Sequence, residues 1–449
     1  MPSRVEETLD HRPTDERLSP DELAEAWQLL DPSARMEGFR MLERPVAEDF
    51  FFSLSSRDQA ELLLDLPPLE RRSWLRQLAP DDVVDLVQEA AEEERDPLLS
   101  LLDAPTMREV QALLAYAEDK AGGLMSPRYA RVRPEMTVDE AITYLRRQAR
   151  EDIETIYYTY VLDAEQRILG VVSFRELFAA RGTQPVRDIM RIDVVTVPAD
   201  MDQESVGRLF ARHDLTAMPV VDSDGRMKGI VTVDDIVDVV EEEATEDIQK
   251  IGGTEALDAP YLEIGLPAMI RKRAVWLAAL FIGEMLTATA MKSYEEDIAR
   301  AVVLALFVPL IISSGGNSGS QATTLVIRAM ALGELRLRDW WRVVRREFLA
   351  GLSLGLILAA IGFVRILVWG RLMNAYGEHY LLIAITVSLS LIGVVLWGTM
   401  AGSMLPFLLR WLGFDPASAS APFVATLVDV SGITIYFTVA NAILSGTLL

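Results

Sequence analysis

Ala425-Thr426-Leu427-Val428-Asp429-Val430-Ser431-Gly432 lies inside a 34-residue run, 416–449, whose one charge is Asp429. A membrane helix needs about 20 mostly apolar residues, so this run is long enough to cross a bilayer. An ionisable group near the centre of such a helix costs about 2.5–3.5 kcal/mol on insertion scales, so it marks either a pathway or a polar partner. Its neighbours at helical spacing are Thr426, Ala425, Pro422, Gly432, Ile433 and Tyr436, mostly small beside the carboxylate. Pro422 is expected to free the carbonyl of Ser418, four residues earlier, which then needs water or an ion. A carboxylate, small side chains and free carbonyls suit a hard cation that keeps much of its water, and magnesium is that kind of ion. The other reading of Asp429 is a hydrogen bond to a neighbouring helix with no ion.

Four apolar runs precede this one: 274–291, which carries Glu284; 301–324; 348–370, with Arg365 near its far end; and 380–409, uncharged throughout. In the second, Ser313-Ser314-Gly315-Gly316-Asn317-Ser318-Gly319-Ser320-Gln321-Ala322-Thr323-Thr324 is too polar for an ordinary membrane helix. Polar or irregular backbone at membrane depth survives only against protein or a wet cavity. Dense glycine also permits close helix packing, so both packing and lining a path remain open. Glu284, about 16 Å beyond Arg273 along a helix, reads as a second ion or proton site or as a helix–helix hydrogen bond. Basic residues cluster before the first run, between the second and third, and between the fourth and fifth, at Arg271-Lys272-Arg273, Arg336 to Arg346, and Arg410. That pattern places the N-terminal domains in the cytoplasm and the C-terminus outside. Arg365, about 28 Å along its helix from Arg346, snorkels to the outer interface.

The chain has 449 residues with 43 Lys plus Arg and 67 Asp plus Glu, a net charge of −24. The imbalance sits at one end: residues 271–449 hold 14 basic and 10 acidic side chains, leaving 29 basic and 57 acidic in residues 1–270. An acidic front is a poor match for phosphate backbones, so no nucleic-acid partner is expected. With no cysteine and three histidines, thiolate and imidazole metal clusters are excluded, and any cation must be held by oxygen. The polar, acidic start predicts no cleavable signal peptide.

Residues 1–20 read as a disordered tail. Residues 21–121 show helical spacing, with capping sequences Ser55-Ser56-Arg57-Asp58 and Ala79-Pro80-Asp81-Asp82. Ala121-Gly122-Gly123 breaks that pattern, and an internal repeat follows. Leu124-Met125-Ser126 matches Ile189-Met190-Arg191 at an offset of 65, and Val161-Leu162-Asp163, Arg167, Gly170 and Ser173 match Val220-Val221-Asp222, Arg226, Gly229 and Thr232 at an offset of 59. Each copy reads strand, helix, strand, turn, strand, helix, and the pair resembles tandem CBS domains, here 122–184 and 185–240. The second copy has an Asp-Gly turn signal at Asp224-Gly225, which the first lacks. Residues 241–266 form a charged connector before the membrane domain, 267–449. The fold class is therefore multidomain: an all-α acidic domain, an α/β tandem pair, and an all-α polytopic membrane domain with five transmembrane helices.

Gly315-Gly316-Asn317-Ser318-Gly319-Ser320-Gln321, the sequence around Asp429, and the connector Glu243-Ala244-Thr245-Glu246-Asp247-Ile248 together resemble the MgtE family of bacterial magnesium channels. The similarity runs from about Asp21 to the C-terminus in the same domain order. The resemblance implies a homodimer in the lipid of a bacterial inner (plasma) membrane, with a pore on the dimer axis where Asp429 binds hydrated magnesium beside the Ala425 carbonyl. Ala421 departs from the asparagine that often precedes the proline matching Pro422. The resemblance also gives regulatory magnesium ligands: Asp49, Asp81 and Asp85 in the helical domain, with Gly123 at its boundary. Asp202, Glu204, Ala211, Asp214, Asp235 and Asp238 follow in the CBS pair, Glu243, Glu246 and Asp247 in the connector, and Asp415 before the last helix. Asp49 stands where glutamate is usual.

ATP is a second ligand the pair suits at Tyr158, Arg175, Thr232 and Asp235, although Ser173 is followed by Glu176 where such sites use aspartate. No enzyme is implied, and no Walker sequence occurs. The expectation is a channel importing magnesium down its gradient and closed by magnesium on the acidic domains. The alternatives are an exchanger coupled to sodium or protons, and a non-conducting membrane-anchored sensor.

Overall fold

The computed structural model describes residues 19–149, 153–257, 259–262 and 264–448, so all but the end of the expected disordered tail lies outside the described residues. The chain divides into two compact units, 1–239 and 240–449.

The first unit opens with eight short helices: α1 (Pro20–Ala26), α2 (Pro32–Met41), α3 (Arg44–Ser53), α4 (Ser56–Asp65), α5 (Pro68–Leu75), α6 (Pro80–Glu89), α7 (Glu92–Leu99) and α8 (Ala104–Leu113). Most start with proline in the first turn, where its missing N–H costs nothing. Ser19, Asp31, Ser55 and Asp103 accept the orphan N–H groups at their helix starts. At the other expected cap, the Ala79 N–H donates to Asp82 (3.3 Å). Aromatic rings hold the bundle together: Trp27 lies 5.2 Å from Phe50, and Trp74 lies 5.0 Å from Phe51 and 5.2 Å from Phe39.

The repeat then builds two small sheets: β1 (Arg131–Val132), α9 (Val138–Gln148), β2 (Tyr158–Leu162), β3 (Ile168–Ser173) and α10 (Phe174–Ala179), followed by β4 (Val197–Pro198), α11 (Gln203–His213), β5 (Ala217–Val221), β6 (Met227–Thr232) and α12 (Val233–Ile251). In each sheet the first strand pairs parallel with the second and the second antiparallel with the third. Val132 opposes Val161 as Val197 opposes Val220, which reproduces the offsets of 65 and 59 at the level of register. The bulges fall at the equivalent Val161/Leu162 and Val220/Val221.

The copies exchange edges. Ser126 donates to the Ile230 carbonyl (2.7 Å), and Arg191 to the Val171 carbonyl (2.9 Å), so each copy's leading segment completes the other's sheet. The missing Asp-Gly signal proves no obstacle, because Asp163 accepts the N–H groups of Glu165 (3.0 Å) and Arg167 (2.7 Å) as Asp222 accepts those of Asp224 and Arg226 (both 2.9 Å). Gln166 takes the left-handed conformation (φ 65°) that Gly225 takes in the second copy (φ 75°). No glycine or proline interrupts Val233–Ile251, so the last helix of the repeat runs on into the first part of the connector.

The second unit carries α13 (Leu266–Ser293), the short α14 (Glu295–Arg300) and α15 (Val302–Ala305), then α16 (Val308–Ala331), α17 (Trp340–Met373), α18 (Tyr380–Trp411) and α19 (Ala421–Leu444). Among the described residues five spans are long and apolar enough to cross a membrane, as the sequence predicts. The polar stretch 313–324 is regular helix. One face of it explains the glycines: a Cβ on Gly315 would stand 2.5 Å from Val394, and one on Gly319 would meet Val424 (2.8 Å) and the Gly398 carbonyl (2.9 Å). Gly398 and Gly402 in turn press on the backbone of Gly315 and Gly319. Polar bonds lock this seam, Ser318 to Thr399 (2.7 Å) and Thr323 to the Gly402 carbonyl (2.8 Å).

Gly398→Val must therefore push α16 and α18 apart. The expected cost is about 1–3 kcal/mol, the usual range for overpacking, read as a lower melting temperature in detergent. Wild-type melting would contradict the seam.

Candidate functional site

Asp429 sits midway along α19, partly buried, and makes no hydrogen bond or ion pair with any described residue. The helix–helix bond that was its alternative reading is absent among the described residues. A Cβ added to Gly316 of α16 would lie 3.9 Å from Asp429 Oδ1 and 3.4 Å from the Ala425 Cβ, so the absence of a side chain at Gly316 leaves the carboxylate its room. The face of α16 turned away from the seam is polar and open: Ser313, Asn317, Gln321 and Thr324 recur at helical spacing and are all exposed.

α13 lies against α19 at Gly283, where an added Cβ would stand 2.9 Å from Thr426. Next to it Glu284 is exposed, forms no hydrogen bond with a described residue, and places its charge where it acts on Asp429. Pro422 behaves differently from the sequence expectation. α19 begins at Ala421 with Ser420 as its cap, so Pro422 stands in the first turn and frees no carbonyl at Ser418, which belongs to the preceding 3-10 turn, Pro416–Ser418. Its ring costs nothing there. The Ala421 carbonyl accepts from Ser320 (3.1 Å).

In the first unit, α6 and the start of α12 bring carboxylates together. Asp81 is buried, and its Oδ1 has no hydrogen-bond partner among the described residues. Burial first, then the charges of Glu154, Asp82 and Asp235, push its carboxyl from 3.8 up to about 8. Half-buried Asp235 is pushed up to about 7, again chiefly by burial and despite the hydrogen bonds from Thr232. Asp85 keeps a solvent-facing side, yet its carboxyl is raised in the same sense, by burial of the rest and then by Asp235 and Asp82. Glu154 joins this group without having been singled out in the sequence, because a loop brings it there. Among the described residues no three carboxylate or imidazole side chains stand close enough to hold an ion unaided.

The other expected ligands lie apart. Asp49 is exposed on α3, and Ala211 and Asp214 are exposed at the end of α11, where Asp214 is left-handed (φ 52°). Asp202 caps α11 and lies 3.6 Å from Lys120, while Glu204 pairs with Arg208 (2.5 Å). Gly123 is required by space, since a Cβ would come 2.6 Å from the Ala117 carbonyl. Asp238 is exposed on α12, with Glu243 and Asp247 half-buried further along. In the second unit Glu246 and Asp415 flank the Lys250 ammonium at 2.6 and 2.7 Å.

Of the nucleotide candidates, Tyr158 opens β2 and Arg175 is exposed on α10. Thr232 donates to Asp235 from its N–H (3.2 Å) and hydroxyl (2.7 Å), as Ser173 does to Glu176 (both 2.7 Å). Both pairs therefore serve as helix caps, whichever acid is present.

A carboxyl whose value is raised by folding binds its proton more tightly in the folded chain. Folding thus loses free energy as pH climbs from about 4 through about 8. In divalent-free buffer the melting transition of the first unit, followed in the full chain, is expected to fall across this window. Asp81→Asn should flatten that fall by an amount on the order of a few kcal/mol. Scanning calorimetry at pH 5 and 8 reads both, and an unchanged slope in the variant would refute the crowding.

Residues 308–439 match the family described as divalent cation transporter, residues 18–119 the MgtE intracellular N domain, and residues 121–182 and 186–242 the CBS domain. The magnesium transporter MgtE of Thermus thermophilus is 43% identical over 434 residues, 96% of this chain and 94% of that protein. That of Bacillus subtilis is 30% identical over 433 residues, again 96% and 94%. A solved structure described as the cytosolic domain of the Mg2+ channel MgtE in complex with ATP is 44% identical, covering 49% of this chain and 90% of that one with a TM-score of 0.46. Matched along nearly its whole length, in the order of its structural parts, the chain belongs to the MgtE family of magnesium transporters, a family of transporters and not of enzymes.

Proposed function

We infer that this chain is a homodimeric magnesium channel, in which the ion runs inward down its gradient past Asp429 and closes its own route by binding the acidic cytosolic domains. Transport of magnesium follows from the family. The observation that supports a path at Asp429 is an unpaired carboxylate at mid-helix, with Gly316 opposite and the open polar stripe Ser313, Asn317, Gln321, Thr324 on the same helix as Gly316. Neither tolerates hydrocarbon, so both call for water and a second copy across a two-fold axis. A hydrated divalent ion fits a site with one carboxylate per copy and room beside it. No fuel is needed, because a divalent ion crossing 100 mV inward gains roughly 4.6 kcal/mol.

In this reading the basic clusters keep the N-terminal domains cytoplasmic and the C-terminus outside. Regulation rests on charge. Asp81, Asp85 and Asp235 repel when bare, and magnesium held between them, or at the other expected ligands, offsets the repulsion and favours the closed arrangement. ATP at Tyr158, Arg175, Thr232 and Asp235 would add to the same control. A coupled exchanger is the second reading, favoured by the charge of Glu284 acting on Asp429.

In liposomes loaded with a magnesium-sensitive dye, the wild type should pass magnesium. Asp429→Asn should lower the flux at least tenfold, as expected when about 1.4 kcal/mol or more of ion stabilisation is removed. Flux that ignores Asp429→Asn would refute the path. Flux that needs a sodium or proton gradient and falls with Glu284→Gln would select the exchanger.

A further inference from the structure

Lys250 lies in the last turn of α12, with its ammonium 2.6 Å from Glu246 Oε1 and 2.7 Å from Asp415 Oδ2. These are two of the carboxylates that the family resemblance assigns to magnesium. The other oxygen of Asp415 accepts the Ala417 N–H (2.9 Å) and so holds the 3-10 turn that leads into the Ser420 cap of α19. The residue after Lys250, Ile251, packs on the apolar group Ile327, Ala417 and Ala419. Beyond it α12 stops at Gly253, left-handed at φ 76°, where an added Cβ would stand 2.7 Å from Trp276 Nε1 and 3.2 Å from Pro422. The end of α12 thus rests on the first turn of the helix that carries Asp429, fastened by one ammonium shared between two carboxylates.

A fixed ammonium and a magnesium ion cannot share one carboxylate pair: each neutralises it, and they repel one another. We propose that Lys250 is a positioning residue that stands in for a divalent cation at Glu246 and Asp415. It holds the end of α12 on the entrance to α19 without metal, and magnesium reaches this pair only by displacing it. The proposal rests on the reading that these carboxylates are open to magnesium. It adds a contact at the mouth that survives when magnesium is low, so the ion's control is exerted elsewhere on the chain until Lys250 yields.

The chain has no cysteine, so introduced pairs report cleanly. With Ile251→Cys and Ala419→Cys in the full-length protein, disulfide formation should run at the same rate in chelator as in millimolar magnesium chloride. Adding Lys250→Met should slow it about fivefold in chelator, the upper range for a partly exposed ion pair, and magnesium should restore it. Lys250→Arg should behave as wild type in chelator, because it keeps a cation between Glu246 and Asp415. A wild-type rate for Lys250→Met in chelator overturns the tether, and a slow rate that magnesium cannot repair overturns the substitution. The crosslink reads this contact whether or not magnesium passes, so absent flux would fail the channel and leave this result standing.

Discussion

A single carboxylate held in an apolar helix, with no ion-pair partner among the described residues, constrains the whole membrane unit. Asp429 has space because Gly316 has no side chain, and Gly316 can lie there because Gly315 and Gly319, on the adjoining face of α16, bring that helix against α18 at backbone contact. Small residues thus do two jobs within one turn. Those facing α18 close the helix pair, and the one facing α19 leaves room beside a charge. A larger residue facing α18 would part the helix pair, and one at Gly316 would fill the space beside the carboxylate.

The cytosolic unit applies the same electrostatics in the opposite sense. Burial first, and then the charges of neighbouring carboxylates, push the Asp81 and Asp235 carboxyls up to about 8 and about 7. A cation beside such a group lowers the cost of its charged form.

Lys250 shows how a fold can supply a cation of its own. Asp81 Oδ1 has no hydrogen-bond partner among the described residues, whereas Glu246 and Asp415 share the Lys250 ammonium. Two acidic regions that look alike in composition are thus placed in different states by one neighbouring side chain.

Periodicity, charge distribution and the repeat were enough to read five spans, a helical front and a duplicated α/β unit, because burial in lipid or in a sheet imposes a spacing that survives in one dimension. The register offsets of 65 and 59 were legible for the same reason. One local reading failed on position, since Pro422 stands in the first turn of a helix that begins at Ala421, while the turn that the repeat predicts at Gln166 forms without the glycine that signals it. Helix starts and tight turns depend on neighbouring backbone more than on residue type. Which face of the glycine run packs, which acid finds a lysine, and whether Asp429 has a partner were settled only in three dimensions. Each is a question of distance between residues tens to hundreds of positions apart, and no spacing along the chain encodes it.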